Sequence, residues 1–314
     1  MTVPPDGVSF VVPVYNKAPW LPAVLTALGN QRGGFAREFI FIDDGSSDDS
    51  LAILRDLTRD WDDTTVITQD NRGSAHATNR GIEAARHPFI KFCDADDLLT
   101  RDGTHLLLEA LSASDACLAY GNRKTYVDLA GIDAGTDLDP PAETAPETAK
   151  VTVMAAPMRA ALRNSLFNPS QLLVRSESVR AVGGCDERIV YSQEYSLTLR
   201  LARRWPFLKL NQLVALVLGE GPGRLSGNMA RQLQRVTLAC ANFLEDCPDI
   251  GPGLRHFACR RAAGRAWKWR RRIHGAGLAS PWFWRNLGSY MPLDRDAPAF
   301  IRACARAFDG GDAL

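Results

Sequence analysis

Three carboxylates follow directly on a short apolar run in FIKFCDADD (residues 89–97). Asp94 and Asp96 share one face of an extended chain, because side chains there alternate with period two, and a hard divalent cation takes such oxygen ligands. A polar turn or helix cap explains an isolated DxD equally well, so its meaning depends on what converges with it. A second acidic cluster, Asp43-Asp44-Gly45-Ser46-Ser47-Asp48, follows the apolar run EFIFI (38–42) and opens a helical stretch that its Ser and Asp can cap. A third acid, Glu194, begins the amphipathic stretch QEYSLTLRLA, with Asp186 shortly upstream as a reserve carboxylate.

Several other chemistries are excluded by what is missing. VPVYNKAPW stands where a dinucleotide site needs GxGxxG, and no GxxxxGK[ST] phosphate loop occurs. The five histidines form no HxxxH or HExxH pattern and read as ordinary residues. No Ser or Cys nucleophile pairs legibly with a His, and Cys93 reads as a small core residue. What remains is an acidic, metal-type nucleotide site.

The elements that must position these acids alternate. VSFVVPV (8–14) reads as a buried strand, broken at 16–19 and followed by a helix over 20–28. Strand 38–42, helix 51–59, strand 65–68, helix 74–86 and strand 89–93 continue the pattern. Such alternation predicts an α/β fold with a mainly parallel central sheet flanked by helices, where ligands bind at the carboxyl ends of strands. Asn16, Asp43, Asp44, Asp94 and Asp96 all fall at such ends, so the acids should meet on one rim. Residues 128–150, rich in Asp, Glu, Pro, Thr and Ala, read as a mobile acidic insertion. A helix over 151–166 and a strand over 171–175 are expected next.

After residue 225 the alternation stops and helices are expected at 229–245, 254–273 and up to 308. The 314 residues carry +1 overall, but residues 226–314 hold 14 Lys and Arg against 7 Asp and Glu, leaving −6 on residues 1–225. Arg261, Arg265, Lys268 and Arg272 make one basic face of the middle helix; Cys259, Ala262, Ala266, Trp269 and Ile273 make an apolar one. With Trp282, Phe283 and Trp284 nearby, residues 254–284 suit a peripheral contact with an anionic membrane. Docking of the apolar face on the rest of the chain accounts for the same pattern. Nucleic acid is not an expected partner, given the acidic first part and the absence of RNA-binding motifs.

No stretch approaches 18 consecutive apolar residues and no signal peptide is legible. Seven cysteines without CxxC or zinc spacing fit reduced thiols in a cytoplasmic compartment.

Five stretches in order, VSFVVPVYN (8–16), FIFIDDGSSDDS (39–50), QDNRGSAHATNRGIEAAR (69–86), FIKFCDADD (89–97) and VGGCDERIVYSQEYSLTLRLA (182–202), resemble the family 2 glycosyltransferases. The resemblance implies the GT-A fold over residues 1–225, with residues 226–314 as a basic, mostly helical region. It implies transfer of a sugar, with inversion, from a nucleotide-diphosphate donor, UDP most commonly, to a glycan or lipid-linked acceptor in polysaccharide or glycan assembly. By position, Pro13, Tyr15 and Asn16 would flank the base, and Asp44 with Asp43 would accept a hydrogen bond from it. Asn71, Gly73 and Asn79 fall in the segment closing over ribose and diphosphate. Asp94 would contact ribose or a metal-bound water, and Asp96 would ligate Mg²⁺ or Mn²⁺.

Glu194 stands where the family's catalytic base is commonly Asp. Two departures are Thr78, where an Arg is frequent, and a late loop (218–228) without the family's His, for which Arg224 is the substitute. These departures leave open a non-catalytic nucleotide-sugar-binding subunit of an assembly complex. A nucleotidyltransferase is disfavoured by the missing basic phosphate loop.

Overall fold

The structure, a computed structural model, describes residues 7–132, 137–139, 151–190, 193–219, 229–291 and 296–309. Strands β1 (Val8–Val14), β2 (Arg37–Asp43), β3 (Thr64–Thr68) and β4 (Phe89–Phe92) form a parallel half-sheet in the order β3-β2-β1-β4. Alternate residues of each strand enter different cores. Phe10, Val12 and Phe41 go to one side; Val11, Ile40, Ile42 and Ile90 go to the other. Burial on both faces explains why these strands read as unbroken apolar runs.

Helices α1 (Leu21–Gly29), α2 (Ser50–Leu57) and α4 (Gly103–Ser112) pack their Leu and Val residues into the first core, and α3 (Ser74–Ala84) packs into the second. Each helix lies between consecutive strands, as expected for a covered parallel sheet.

The second half of the sheet is mixed. β8 (Leu172–Arg175) runs antiparallel to β4 and to β6 (Leu118–Tyr126), and β9 (Phe207–Leu218) runs parallel to β6. Short β5 (Leu98–Leu99) and β7 (Val151–Met154) pair antiparallel with β9. The helix expected over 151–166 is corrected here: residues 151–154 are a strand, and a helix, α5 (Met158–Arg163), starts only after Pro157. β-branched VTV suits the pleated edge offered by β9, a partner remote in sequence that local periodicity cannot reveal.

The remaining helices are α6 (Ser176–Ala181), α7 (Gln193–Ala202), α8 (Met229–Asp246), α9 (Pro252–His274), α10 (Pro281–Gly288) and α11 (Ala297–Ala305). Ala239 and Phe243 of α8, Ala258, Cys259, Ala262 and Ala266 of α9, and Ile301 of α11 join the core that holds Tyr195 and Leu199 of α7. The apolar face of α9 therefore docks on the rest of the chain. Its basic face divides: Arg261 and Arg265 donate to the Arg163 carbonyl at the end of α5, whereas Lys268 and Arg272 are exposed. Among the described residues no helix is long and apolar enough to cross a membrane.

Gly81 of α3 shows how closely this helix sits on the sheet. A Cβ there would stand 2.3 Å from Val11 Cγ1 and 2.9 Å from Ile42 Cδ1, both core atoms with nowhere to go. Gly81→Ala should therefore destabilise the fold by about 1–3 kcal/mol, despite alanine's better helix propensity. Urea unfolding measures this, and an unchanged or higher midpoint would show that α3 is free to shift.

Candidate active site

Strand register decides where the acids can go. Val14 lies opposite Asp43 and Val11 opposite Phe92. The N–H groups of Asp44 and Cys93 donate to the carbonyls of Val14 and Val11 at 2.8 and 3.1 Å. The chain thus leaves β1, β2 and β4 along one edge, with Tyr15, Asp44 and Asp94 close behind. A cavity of ≈ 960 Å³ opens there, lined among others by Pro13, Tyr15, Asn16, Asp44, Asn71, Asp94, Asp96 and Glu194. This lies at the upper end of the roughly 300–1,000 Å³ found for small-molecule sites.

Three of the expected residues are not in that lining. Asp43 is buried, accepting from the Ser46 N–H on Oδ2 while Oδ1 has no hydrogen-bond partner. Gly73 donates its N–H to Asp44. Asn79 bonds the N–H and carbonyl of Cys185 and the Glu187 carboxylate, so it ties α3 to the turn before α7.

Each rim carboxylate has its own set of donors. Asp44, almost fully buried, receives the Gln69 amide and the Arg72 N–H on Oδ1 and the Gly73 N–H on Oδ2, at 2.7–2.9 Å. Those bonds shape the loop that presents Asn71. Asn16 takes a left-handed φ of 52°, which Asn tolerates better than most residues. Its Oδ1 accepts from the Ser47 N–H at 2.8 Å and joins the end of β1 to the loop after β2.

Asp97, the last acid of the DADD turn, is an anchor. Its Oδ2 accepts from Ser170 Oγ (2.7 Å) and Asn168 Nδ2 (3.2 Å), and its Oδ1 from the Leu218 N–H (3.1 Å). Burial, then the neighbouring Asp94 and Asp96 charges, push the Asp97 carboxyl well above the ordinary range. Ser170 Oγ also accepts the Asp94 N–H at 3.0 Å, and the Tyr126 hydroxyl donates to the Asp96 carbonyl at 2.5 Å. Beneath the turn, fully buried Lys91 donates to the Ser170 carbonyl at 2.6 Å, and burial lowers its pKa to about 8. The backbone of the DxD is thereby held from β6, β9 and the turn before β8.

Lys17 was not singled out from sequence, although it adjoins Asn16. Its Nζ lies 2.5 Å from Asp96 Oδ2 and 5.2 Å from the Trp20 ring centroid. Gln193, next to Glu194, and Arg123, Gln232 and Arg235 also line the cavity. The last three come from β6 and α8, and nothing local in the sequence marks them. The proposed substitute Arg224 and most of the 128–150 insertion lie outside the described residues.

Glu194 occupies the first turn of α7 and lines both the main cavity and a small pocket it shares with Pro13, Thr78 and Asp94. Its side chain is partly reachable from the cavity, yet the protein packed around it raises its pKa to about 7. The N–H groups of Glu194 and Tyr195 oppose that rise. Thr78 is buried, and its hydroxyl has no hydrogen-bond partner. The reserve acid Asp186 is engaged elsewhere, with Arg188 at 2.7 and 3.0 Å and Asn242 at 3.1 Å. Burial alone would raise its pKa, but Arg188 and Asn242 outweigh that and hold it below the ordinary value.

No three His, Cys, Asp or Glu side chains converge as a metal cage among the described residues. Mg²⁺-type ions use one or two carboxylates and complete their shell with water and substrate phosphates, so Asp94 and Asp96 fit that kind of site.

The profile of the family described as Glycosyl transferase family 2 matches residues 9–167. An uncharacterized glycosyltransferase of Haemophilus influenzae is 32% identical over 126 residues, which are 40% of this chain and 49% of that protein. A poly-beta-1,6-N-acetyl-D-glucosamine synthase of Staphylococcus aureus is 30% identical over 107 residues, 33% of this chain and 25% of that one. The chain thus spans half or less of the length of these relatives. In shape it resembles S. aureus TarS in complex with UDP-GlcNAc (TM-score 0.64, 13% identity, 90% of this chain and 80% of that one covered). It also resembles the mannosyltransferase PcManGT from Pyrobaculum calidifontis in complex with GDP-Man and Mn²⁺ (TM-score 0.61, 18% identity, 98% and 88% covered). Identities this low speak for the fold alone.

Two outcomes follow from the electrostatics. Asp97→Ala should cost about 2–4 kcal/mol in chemical denaturation, because it leaves the buried Leu218 N–H and Ser170 hydroxyl without their acceptor; a loss below 0.5 kcal/mol would remove the anchor role. Glu194 binds its proton more tightly when folded (about 7) than at its ordinary 4.5, so its contribution to stability falls as pH rises through that window. Glu194→Gln should therefore melt higher than wild type at pH 8 and converge with it near pH 4, which scanning calorimetry at both pH values checks.

Proposed function

The chain belongs to glycosyl transferase family 2 and has the GT-A fold, and on that premise we propose that it moves a sugar from a nucleotide-diphosphate donor to an acceptor hydroxyl with inversion. A UDP-sugar is the donor proposed first, and the product belongs to polysaccharide or other glycan assembly with a glycan or lipid-linked acceptor. The observation that carries the proposal is the single cavity reached by Asp94, Asp96 and Glu194 together with Tyr15, Asn16, Asp44 and Asn71. The transferring unit is residues 1–225, with 226–314 as an accessory helical region. Seven buried free thiols support a cytoplasmic setting.

The residues divide the work. Pro13, Tyr15 and Asn16 flank the base, and Asp44, backed by Asp43, accepts a hydrogen bond from it; a carboxylate has about four acceptor sites, and Asp44 spends three on its own loop. Asn71 and Gly73 shape the segment over ribose and diphosphate, and Asn79 supports it from outside the cavity. Asp94 and Asp96 would hold Mg²⁺ or Mn²⁺, which supplies positive charge against the departing diphosphate. Lys17, already on Asp96, adds a cation at the same place.

Glu194 takes the proton of the acceptor hydroxyl. The oxygen then bonds to the anomeric carbon from the side opposite the leaving group as the bond to the diphosphate breaks, so the configuration inverts. A base with a pKa of about 7 is half ionised at neutral pH, the poise that favours proton transfer. The rival, a non-catalytic nucleotide-sugar-binding subunit, draws on Thr78 and on the Lys17 ammonium against Asp96.

With a panel of sugar nucleotides and Mn²⁺, purified protein should transfer or hydrolyse at least one donor; binding without turnover would favour the rival, and no binding at all would sink the transferase. Asp96→Ala should lose metal-dependent nucleotide binding by calorimetry. Glu194→Gln should keep that binding and lose transfer by about 10²-fold or more, and the wild-type rate should rise with pH through about 7. A wild-type profile flat between pH 5.5 and 8.5 would remove Glu194 as the base.

A further inference from the structure

The stretch from Gly251 to Met291 holds nine Lys and Arg and no Asp or Glu. It folds as a hairpin in which α10 returns along α9. The Trp267 and Phe283 rings meet edge-on at 5.3 Å near its middle, and Arg260 lies over the Tyr290 ring at 4.0 Å further along. The inner face of the hairpin is thus occupied by aromatic and guanidinium contacts, including Arg270 and Arg285 over Trp282.

The outer face is apolar and open. Of twelve large hydrophobic side chains exposed among the described residues, six fall between residues 273 and 291: Ile273, Leu278, Trp284, Leu287, Tyr290 and Met291. Trp284, Leu287 and Met291 recur at three and four, the spacing of one helical face. Leu278 sits at the hairpin bend, 68% exposed. Arg260, Lys268, Arg271 and Arg272 are exposed beside them, and the hairpin has no acid of its own to neutralise them.

We propose that the α9–α10 hairpin is a docking surface for an anionic lipid bilayer, with Leu278, Trp284, Leu287 and Met291 entering the interface and the surrounding Arg and Lys meeting lipid phosphates. Charge complementarity and the mixture of side chains select this occupant. Aliphatic Ile273, Leu278 and Leu287 gain nothing from stacking on bases, but do gain from hydrocarbon, and Trp and Tyr favour the headgroup boundary. A second copy presenting the same hairpin would bring like charges together. The inference does not depend on the transferase reading, because it uses no residue of the cavity.

Full-length protein should float with vesicles of phosphatidylcholine containing about 30% phosphatidylglycerol and stay behind with phosphatidylcholine alone, the binding weakening at high salt. Arg271→Glu/Arg272→Glu and Trp284→Ser/Leu287→Ser should each reduce flotation by about tenfold or more while metal-dependent nucleotide binding stays unchanged. Equal flotation on both vesicle types overturns the proposal. So does unaltered flotation of the Trp284→Ser/Leu287→Ser protein, or a concentration-dependent dimer abolished by that variant, which would make a second copy the occupant.

Discussion

Gathering carboxylates at one edge of a sheet is electrostatically unfavourable, and the rest of the site follows from how each one is compensated. Asp44 is met by an amide and two backbone N–H groups, Asp97 by a hydroxyl, an amide and a backbone N–H, and Asp96 by the Lys17 ammonium. Buried charge is tolerated only with such partners. Compensation therefore sorts the acids: Asp44 and Asp97 order the surrounding loops, whereas Glu194, opposed by burial and helped mainly by the start of its helix, keeps a pKa of about 7.

The same donors couple distant parts of the chain. Asp97 reaches the end of β9 and the turn before β8, Asp44 fixes the loop into α3, and Asn79 joins α3 to the turn before α7. The two sheet halves, one parallel and one mixed, meet at β4 and β8, beside the DxD. The helices after residue 229 share the core beneath α7, so the helix bearing Glu194 is held both by the sheet and by the C-terminal helices.

Residue order alone made the first half of the fold legible. VSFVVPV, EFIFI and FIKF are short, β-branched or aromatic, and followed by Asn, Asp and Gly turns, so strand ends could be placed within a residue or two. β7 was misread as helix because its reason for being a strand is the edge of β9, far along the chain. Asn79 looked like a cavity residue by its place in a motif, yet its side chain points to Cys185 and Glu187. Asp97 was visible as a third acid, but its anchoring task depends on Ser170, Asn168 and Leu218, and no spacing in the sequence connects them.

By itself, the sequence determined the alternation of strands and helices, the exit of Asp43, Asp44, Asp94 and Asp96 at strand ends, and the basic character of the last third, because each is set by neighbours within a few residues. Tertiary structure alone decided which acids face the cavity and which become anchors, that Lys17 meets Asp96, and that Asp186 is spent on Arg188 and Asn242. It also decided that α9 buries its alanines while α10 leaves Trp284 and Leu287 outside. Those outcomes depend on burial and on partners tens of residues away, and proximity of that kind exists only once the chain has packed.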